Sequence, residues 1–298
     1  MYQLEWEKTN EGNARLLCMK ETPAELVLPE KIKGLPLTEV GPYCFKNNKF
    51  IERVTLPDTI KKIDRMAFYN CTGLRELELG AAVTEFGGDA FMNCHNLHNL
   101  LIRCGAYDKS GARLVLQQIS SDMRVHFMGG MGKEEALILF PEYYETYDEV
   151  APAHLFGRNI EGEGFRARQC FKEGIFEYTR YDSIFQKACA EEQVTTLCEM
   201  ALNRLIYPVG LSEAAKRQYM DFTKSHMDVI GKKVIVSRDI TTLQFLCERQ
   251  LVNRETFDKF IPLAAENEWA EGTVYLLRLK EQHFPQKEKT DKYDFDEF

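Results

Sequence analysis

The residues of this chain best suited to metal chemistry are Cys94, His95, His98 and Cys104. Two thiolates and two imidazoles form one of the ligand sets of tetrahedral zinc. Cys94, however, has the same place in a repeated pattern as Cys71, which has no histidine beside it. Because that repeat position packs inward, we expect a buried thiol beside surface histidines, with a zinc site as the alternative.

A glycine-rich segment, residues 129–133, reads Gly-Gly-Met-Gly-Lys, a composition suited to cradling a phosphate. A Walker A loop has the pattern Gly-x-x-x-x-Gly-Lys-Ser/Thr between a strand and a helix. Glu134 stands where Ser or Thr would bind magnesium, and the first glycine lies too near the lysine. The favoured use of these glycines is therefore a flexible turn.

Motifs of enzymatic catalysis are missing from the sequence. It contains no Gly-x-Ser-x-Gly, His-Glu-x-x-His or Gly-x-Gly-x-x-Gly, the patterns that hold a serine nucleophile, a catalytic zinc ion or a dinucleotide. The six histidines are scattered, so the sequence pairs none of them with a cysteine nucleophile. We therefore expect no catalytic, cofactor-binding or metal-binding residues.

The balance of charge argues against nucleic-acid and membrane partners. The 298 residues include 38 Lys and Arg against 46 Asp and Glu, a formal charge of −8, whereas nucleic acids and anionic membranes attract clustered positive charge. The chain begins without a signal-peptide pattern, and no apolar run is long enough to span a membrane. The nine cysteines show no Cys-x-x-Cys spacing, which favours free thiols and a cytoplasmic location.

An internal repeat is the clearest structural signal in the sequence. Apolar residues recur with a step of 23 residues in the pairs Leu56 and Leu79, Ile63 and Phe86, Phe68 and Phe91, Cys71 and Cys94, and Leu74 and Leu97. An earlier strand, residues 26–29, keeps the frame when five extra residues are placed in the turn-rich stretch 33–37. A repeat of this length predicts a solenoid in which each repeat forms one coil.

Each coil is expected to have two sides. Val54 and Leu56 alternate as in a strand and point inward, and Pro57 ends that strand because it has no N–H donor. Ala67 and Phe68 follow on a second side that is irregular or forms a single helical turn. One coil cannot bury its apolar side alone, so successive coils must stack.

Residues 24–102 resemble the bacterial BspA-type leucine-rich repeat, whose pattern is similar to LxxLxLPxxVxxIxxxAFxxCxx. The resemblance implies a leucine-rich-repeat solenoid of short parallel strands and a role in binding other proteins. Members of the family that carry secretion signals act as surface adhesins, and this sequence shows no such signal. The resemblance therefore supports a binding role without implying a cell-surface location.

The strands of such a solenoid turn alternate residues outward. Neighbouring strands lie about 4.8 Å apart, so the outward residues of successive coils form contiguous rows. We predict two protein-binding rows, namely Glu25, Arg53, Glu76 and Asn99, and Val27, Thr55, Glu78 and Leu101. Arg53 is the expected anchor, since its planar guanidinium lies between two acidic neighbours. The C-terminal tail and the aromatic group of Tyr143, Tyr144, Tyr147 and Phe156 are the alternative contact sites.

Residues 103–160 follow the repeat less closely. Residues 111–123 suggest a helix, and residues 125–127 suggest a strand. Residues 136–141 repeat the strand-then-proline pattern, so we interpret them as a late, divergent coil. Three glycines and alternating charges predict a loop over residues 157–164.

Helical spacing replaces the repeat from Tyr181 onward. Apolar residues fall at i, i+3, i+4 and i+7 in two successive amphipathic helices. Ser212 is expected to cap a third helix that Gly231 ends, and Asp239 and Asn253 are expected to cap two more.

A last helix is expected over residues 270–282. Residues 264–280 resemble the second helix of ankyrin-like units, without the TPLHxA-type motif of that family. Short helices joined by short turns imply a helical-hairpin array. The charged residues 285–298 hold few aliphatic side chains, which implies a disordered tail.

The sequence thus predicts an α+β chain with an N-terminal leucine-rich-repeat solenoid of short parallel strands and a C-terminal α-helical array. Its expected domains are residues 1–160 for the repeats with divergent last coils, 161–284 for the helical hairpins and 285–298 for the tail. The expected function is an intracellular scaffold or adaptor that binds another protein, not nucleic acid or a membrane, and has no catalytic activity. The alternatives are an enzyme with a site in the cleft between solenoid and helices, and a surface adhesin if a leader was lost.

Overall fold

The computed structural model describes residues 3–150 and 155–284, without the side chains of residues 148–150, 155 and 156. The tail predicted over residues 285–298 lies outside this part. The chain divides into two compact units, Met1–Tyr219 and Met220–Phe298. The domain boundaries expected after residues 160 and 284 stay a prediction.

The first unit begins with short strands that belong to two sheets. In chain order they are β1 (Gln3–Lys8), β2 (Ala14–Lys20), β3 (Glu25–Val27), β4 (Lys31–Ile32), β5 (Leu35–Val40), β6 (Arg53–Thr55), β7 (Lys62–Ile63), β8 (Glu76–Gly80), β9 (Glu85–Phe86), β10 (Asn99–Arg103), β11 (Met123–Met128) and β12 (Glu134–Phe140). One sheet has the order β1-β2-β5-β7-β9, with β4 beside β5, and the other has the order β12-β11-β10-β8-β6-β3. The predicted fold class is confirmed, since the chain is a solenoid of about five turns followed by helices.

Successive coils pair with the step that the sequence predicts. Strands β3, β6, β8 and β10 are parallel, and Leu26, Val54, Leu77 and Leu100 lie opposite one another in turn. In the other sheet β5, β7 and β9 are parallel as well. Strand alternation turns one apolar residue of each of β3, β6, β8 and β10 into the core. These residues, Leu26, Val54, Leu77 and Leu100, are almost completely buried.

The side of the coils between the strands consists of turns around an aromatic stack. Phe45, Phe68 and Phe91 stack with ring centroids 5.0 and 5.4 Å apart. Cys71 and Cys94 are buried, and each thiol donates to a phenylalanine carbonyl in the preceding coil, at 3.0 and 3.1 Å. The burial predicted for both thiols is confirmed, and equal residues at equal repeat positions explain the equal geometry.

Antiparallel strands, not further coils, close the ends of the solenoid. β1 pairs with β2 at one edge of the first sheet, and β12 pairs antiparallel with β11 at one edge of the second. The interpretation of residues 136–141 as a divergent coil is therefore wrong. A proline follows both kinds of strand, Pro141 after the antiparallel β12 and Pro57 after the parallel β6. The strand-then-proline pattern therefore does not distinguish an antiparallel closing strand from the strand of a coil.

After β10 the chain forms the short helix α1 (Ala112–Leu116). The helix expected over residues 111–123 is too long, because the chain must turn before β11 begins at Met123. The strand expected over residues 125–127 is confirmed within β11.

Two hairpins and a single helical turn follow β12. They are β13 (Tyr144–Val150) with β14 (Leu155–Glu161), α2 (Gly164–Ala167), and β15 (Phe171–Lys172) with β16 (Ile175–Phe176). The loop predicted over residues 157–164 is therefore wrong for most of its length. Its alternating charges suit an exposed strand, in which Arg158 pairs with Glu145 across the hairpin at 2.5 Å.

Helices α3 (Tyr178–Glu191) and α4 (Val194–Ile206) lie in the first unit, and α5 (Glu213–Ser225) crosses the boundary between the units. Arg204 of α4 donates to both carboxylate oxygens of Asp182 on α3, at 2.7 and 3.0 Å. Tyr219 donates to the same carboxylate at 2.9 Å. Because buried charges are stable only when they are paired and hydrogen-bonded, this cluster fixes α3 against α4.

The second unit contains helices α6 (Met227–Val236), α7 (Ile240–Glu248), α8 (Arg254–Glu266) and α9 (Ala270–His283). The caps predicted at Asp239 and Asn253 are confirmed. Asp239 accepts the Thr242 N–H at 3.0 Å, and Asn253 accepts the Thr256 N–H at 2.8 Å. These side chains satisfy N–H groups that the first turn of a helix leaves without a partner.

The helix end predicted at Gly231 is wrong, because this glycine lies inside α6. The predicted third helix is instead two helices, α5 and α6, that are separated at His226. A Cβ atom at Gly231 would lie 2.0 Å from the ring of Phe260 on α8. The glycine thus permits a close approach between two helices and ends neither of them.

Candidate protein-binding surface

The outward sides of β3, β6, β8 and β10 bring the eight predicted binding residues together in two rows. In register, the rows are Glu25, Arg53, Glu76 and Asn99, and Val27, Thr55, Glu78 and Leu101. The inward residues between the rows fix this arrangement, since a slip of one residue would turn the apolar set outward. We name these two rows the strand face, and its role in binding stays a prediction.

Solvent reaches the strand face most freely at one edge of the sheet. Glu25, Val27 and Arg53 are exposed, Val27 to 68% of its surface, whereas the other five residues are partly buried. β3 is the last strand on this side of the sheet. Exposure therefore increases toward β3, where no further strand flanks the rows.

Ion pairs hold the charged side chains of the strand face. Arg53 Nε lies 2.8 Å from Glu76 on the next strand, and its Nη1 lies 3.8 Å from Glu25 on the preceding one. Exposed pairs of this kind stabilise a fold by about 0–1 kcal/mol each. The expected anchor is thus already paired, so an acidic group of a partner would have to compete with two carboxylates.

Arg103, at the end of β10, is a residue of this surface that the sequence reasoning missed. Its guanidinium lies 2.6 Å from Glu78 and 2.9 Å from Asp58, and it also donates to the Leu56 carbonyl. β10 runs past Leu101, so strand alternation turns Arg103 to the same side. Applying that alternation to a longer strand would have found it.

Helix α4 covers the other end of the same sheet. The row that contains Asn99 continues with Arg124 on β11. Arg124 donates to both carboxylate oxygens of Glu199 on α4, at 2.5 and 2.8 Å. This continuation was not predicted, because α1 lengthens the coil between β10 and β11 beyond the 23-residue step.

The second row continues in the same way with His126 on β11. His126 Nδ1 lies 2.6 Å from one carboxylate oxygen of Glu134, and the Tyr207 hydroxyl donates to the other at 2.5 Å. The hydrogen bond with His126, and then that with Tyr207, hold the pKa of Glu134 below its usual value. These contacts tie β11 and β12 to the end of α4.

Cysteines and histidines considered as zinc ligands have different surroundings in the structure. Cys94 is buried in the turn side of its coil, His95 is exposed, and the His98 ring binds a backbone carbonyl. Burial raises the pKa of the Cys104 thiol to about 11. Among the side chains that the structure describes, no three His, Cys, Asp or Glu residues are grouped as metal ligands would be.

The glycine-rich segment, residues 129–133, is the turn of the hairpin formed by β11 and β12. Met131 and Gly132 adopt left-handed backbone conformations, with φ of 59° and 69°. The element that follows is a strand, whereas a Walker A loop opens a helix. The prediction of a turn at these glycines is therefore confirmed.

The aromatic residues near the end of β12 do not form one patch. Tyr143 is buried and lies 5.0 Å below the Arg168 guanidinium, whereas Tyr144 and Tyr147 are exposed on β13. The side chain of Phe156 lies outside the described residues. Of the three tyrosines, Tyr144 and Tyr147 are thus the ones exposed as alternative contact residues.

Residues 32–109 match the family model described as the BspA type leucine rich repeat region, in six copies. This segment is a BspA-type leucine-rich-repeat region. Such repeats are generally modules of protein interaction or adhesion and typically have no enzymatic activity. No family match extends to the helices that follow the BspA-type region, so the ankyrin-like unit stays a prediction.

Several solved leucine-rich-repeat proteins are similar to about a third of this chain. One from Bacteroides capillosus is 24% identical over 33% of this chain and 77% of that chain, with a TM-score of 0.31. A leucine rich cell surface protein from Faecalibacterium prausnitzii is 21% identical over 34% of this chain and 36% of that chain, with a TM-score of 0.28. A leucine-rich-repeat protein of T. pallidum is 21% identical over 36% of this chain and 73% of that chain, with a TM-score of 0.25. No curated protein shows a significant match.

Within residues 3–150 and 155–284, no helix combines the length and the apolar character needed to cross a bilayer.

Proposed function

We propose that the BspA-type region binds a protein partner through the strand face, and that the chain acts as an intracellular scaffold or adaptor without catalytic activity. The strand face itself carries this proposal, because its two rows continue without interruption across four parallel strands. Each coil adds one strand to the same surface, which is how solenoids build extended binding sites.

The charges on the strand face favour a partner with a basic contact surface. The strand face and its neighbours Arg103 and Asp58 together carry two guanidinium groups and four carboxylates, the latter on Glu25, Asp58, Glu76 and Glu78. An excess of negative charge attracts cationic side chains and speeds their encounter with the surface. Val27 and Leu101 add apolar contact area at the two ends of their row.

The test is a capture experiment with two matched double variants. Arg53→Ala with Glu78→Ala removes one cation and one anion from the strand face. Lys20→Ala with Glu5→Ala also removes one cation and one anion, here an exposed pair 3.1 Å apart on β2 and β1. Both variants should melt close to the parent chain, since the ion pairs that they break are exposed or partly exposed and contribute at most about 1 kcal/mol each.

We expect proteins captured by the parent chain to be retained by the Lys20/Glu5 variant and weakened by at least about tenfold in the Arg53/Glu78 variant. Captured partners should also be released by added salt, because salt screens attraction between exposed charges. If the two variants capture every partner equally well, the strand face is not the binding site.

The intracellular location is a separate part of the proposal and has its own test. The chain should be recovered in the cytoplasmic fraction of the native cells and should resist protease added to intact cells. Cleavage by protease on intact cells would support the adhesin alternative instead.

A further inference from the structure

The turns of successive coils are joined by a repeated set of backbone hydrogen bonds, which we name the turn ladder. Three N–H groups in each coil donate to three carbonyls in the next, at distances between 2.8 and 3.2 Å. The donors in the first pair of coils are Tyr43, Phe45 and Asn47, and the acceptors are Arg65, Ala67 and Tyr69. In the second pair the donors are Met66, Phe68 and Asn70, and the acceptors are Gly88, Ala90 and Met92.

The turn ladder is incomplete at the third coil, where the corresponding donors are Asp89, Phe91 and Asn93. The Phe91 N–H donates to the side-chain Oε1 of Gln118 at 3.3 Å, in place of a carbonyl of another coil. Within residues 3–150 and 155–284, the N–H groups of Asp89 and Asn93 have no hydrogen-bond acceptor. Both residues have left-handed backbones, with φ of 57° and 64°, as do their counterparts in the earlier coils.

A cavity of about 350 Å³ lies beside these two donors, and we name it the end cavity. Its lining includes Asp89 and Asn93 together with Met92, Gln118 and Ser120. Residues 117–121, which follow α1, form its other wall, and among the described residues they supply one side-chain acceptor, that of Gln118, where the inner coils supply three carbonyls. Asp89, Met92 and Ser120 are exposed, so the end cavity is open to a ligand.

The side chains of the end cavity favour an uncharged acceptor over an anion. The lining contains no Lys or Arg; Asp89 contributes a carboxylate and His95 an imidazole. An anion would meet the negative charge of Asp89 with no permanently charged cation in the lining to offset it, at a cost that rises as water is displaced. A peptide carbonyl accepts N–H donors without carrying a net charge.

We propose that the end cavity binds a peptide segment of a partner protein, whose backbone carbonyls accept the Asp89 and Asn93 N–H groups. The acceptors of the inner coils are residues i, i+2 and i+4 of one turn. The ligand therefore presents carbonyls i and i+4 on either side of the Gln118 amide. Main-chain bonds supply the affinity, as when a strand is added to a sheet edge, and Met92 adapts to the side chains of the ligand.

The probe is a capped peptide that copies residues 63–72, with serine in place of Cys71. This segment is chosen because its own carbonyls are the acceptors of the first pair of coils. In the free full-length protein, NMR hydrogen exchange should be much faster at Asp89 and Asn93 than at Asn47 and Asn70. Millimolar peptide should slow exchange at Asp89 and Asn93.

Two tryptophan variants form a matched pair for the peptide titration. Ser120→Trp fills the end cavity from an exposed position, and Ser183→Trp adds the same side chain at an exposed position on α3. The first should weaken peptide binding by at least about tenfold, and the second should leave it unchanged. Gln118→Ala frees the Phe91 N–H, so the peptide then meets all three donors and should bind about fivefold more tightly.

Unchanged exchange at Asp89 and Asn93 in the presence of the peptide overturns the proposal, as does full binding by Ser120→Trp. Protection of the same amides by inorganic phosphate would assign the end cavity to anions. Protection that grows with protein concentration alone would assign it to a second copy of the chain, and either result overturns the proposal. The Arg53/Glu78 variant should bind the peptide as the parent does, which separates this site from the strand face.

Discussion

Arg168 is an almost completely buried arginine whose hydrogen-bond partners are backbone carbonyls. Its guanidinium lies over the Tyr143 ring. At distances of 2.5 to 3.2 Å it donates to the carbonyls of Leu116, Ile119, Ser121, Pro141 and Gly164. Burial lowers the pKa of this group to about 10, so it is still charged at neutral pH. One side chain thereby joins α1, the end of β12 and α2.

Arg168→Met should destabilise the fold by about 3 kcal/mol or more, because each buried carbonyl that loses its donor costs about 1–3 kcal/mol. Arg180→Met is the control, since that arginine is exposed and pairs only with Glu177 among the contacts described, at 3.3 Å. The control should change the free energy of unfolding by less than about 1 kcal/mol. Urea unfolding measures the free energy of unfolding of both variants. Equal losses of stability in the two would show that water replaces the buried guanidinium.

The thiols of the turn side give a second prediction at the scale of residues. Cys71 and Cys94 are both buried, whereas a thiol must be accessible and ionised to react readily. We expect a thiol reagent to label Cys71 and Cys94 slowly in the native protein and rapidly after denaturation. Cys189 is exposed and should be labelled first, so rapid native labelling of all three would contradict the packing described above.

Among the elements, the hairpin of β11 and β12 depends on Glu134. This carboxylate contacts His126 on β11 and Tyr207 after α4, and these contacts lower its pKa. A carboxyl whose pKa is lower in the folded state stabilises the fold above its unfolded pKa of about 4.3. That contribution is lost as the pH falls through the folded pKa.

Glu134→Gln should therefore lower the melting temperature at neutral pH, and the difference from the parent should shrink as the pH falls below about 4. Thermal unfolding across this pH range is the measurement. Glu191→Gln, at an exposed carboxyl on α3, is the control and should follow the parent throughout. A constant difference between Glu134→Gln and the parent would show that ionisation of Glu134 does not stabilise the hairpin.

The packing of α6 on α8 depends on the missing side chain of Gly231. Alanine in place of glycine ordinarily stabilises a helix by about 1 kcal/mol. Here the new Cβ atom would meet the Phe260 ring, so Gly231→Ala should destabilise the second unit by about 1–3 kcal/mol. Urea unfolding measures the effect, and adding Phe260→Leu to Gly231→Ala should recover part of the lost stability. If Gly231→Ala alone is more stable than the parent, the close packing is refuted.

At the scale of the whole molecule, the periodic part of the fold could be predicted and its interruptions could not. The step of 23 residues determines which residues face outward, so the eight residues of the strand face lie in the predicted rows. The hairpins that close the solenoid carry no such period, and residues 136–141 were misinterpreted for that reason. Arg124 and His126 were missed because α1 breaks the step just before them.

Features that depend on a residue far away in the chain also could not be predicted from the sequence. Asp239 and Asn253 could be predicted as caps because a cap bonds to its own helix, whereas the role of Gly231 depends on Phe260 of another helix. The end cavity leaves no periodic signal either. At its lining the side chain of Gln118 accepts the Phe91 N–H in place of a carbonyl, and the N–H groups of Asp89 and Asn93 have no acceptor among the described residues.

The turn ladder has a mechanical consequence. The first three coils of the BspA-type region are joined by nearly the same bonds, so a force applied at the N-terminal end meets similar resistance at each of them. Once β1 and β2 have come away, the coils should detach one at a time. A coil of 23 residues releases about 80 Å of chain, at about 3.3–3.6 Å for every extended residue, and the first coil, with its five extra residues, releases somewhat more. Single-molecule pulling should therefore show separate lengthening steps, one for each coil. The region would then extend under load in stages, where a single cooperative rupture would release all of it at once.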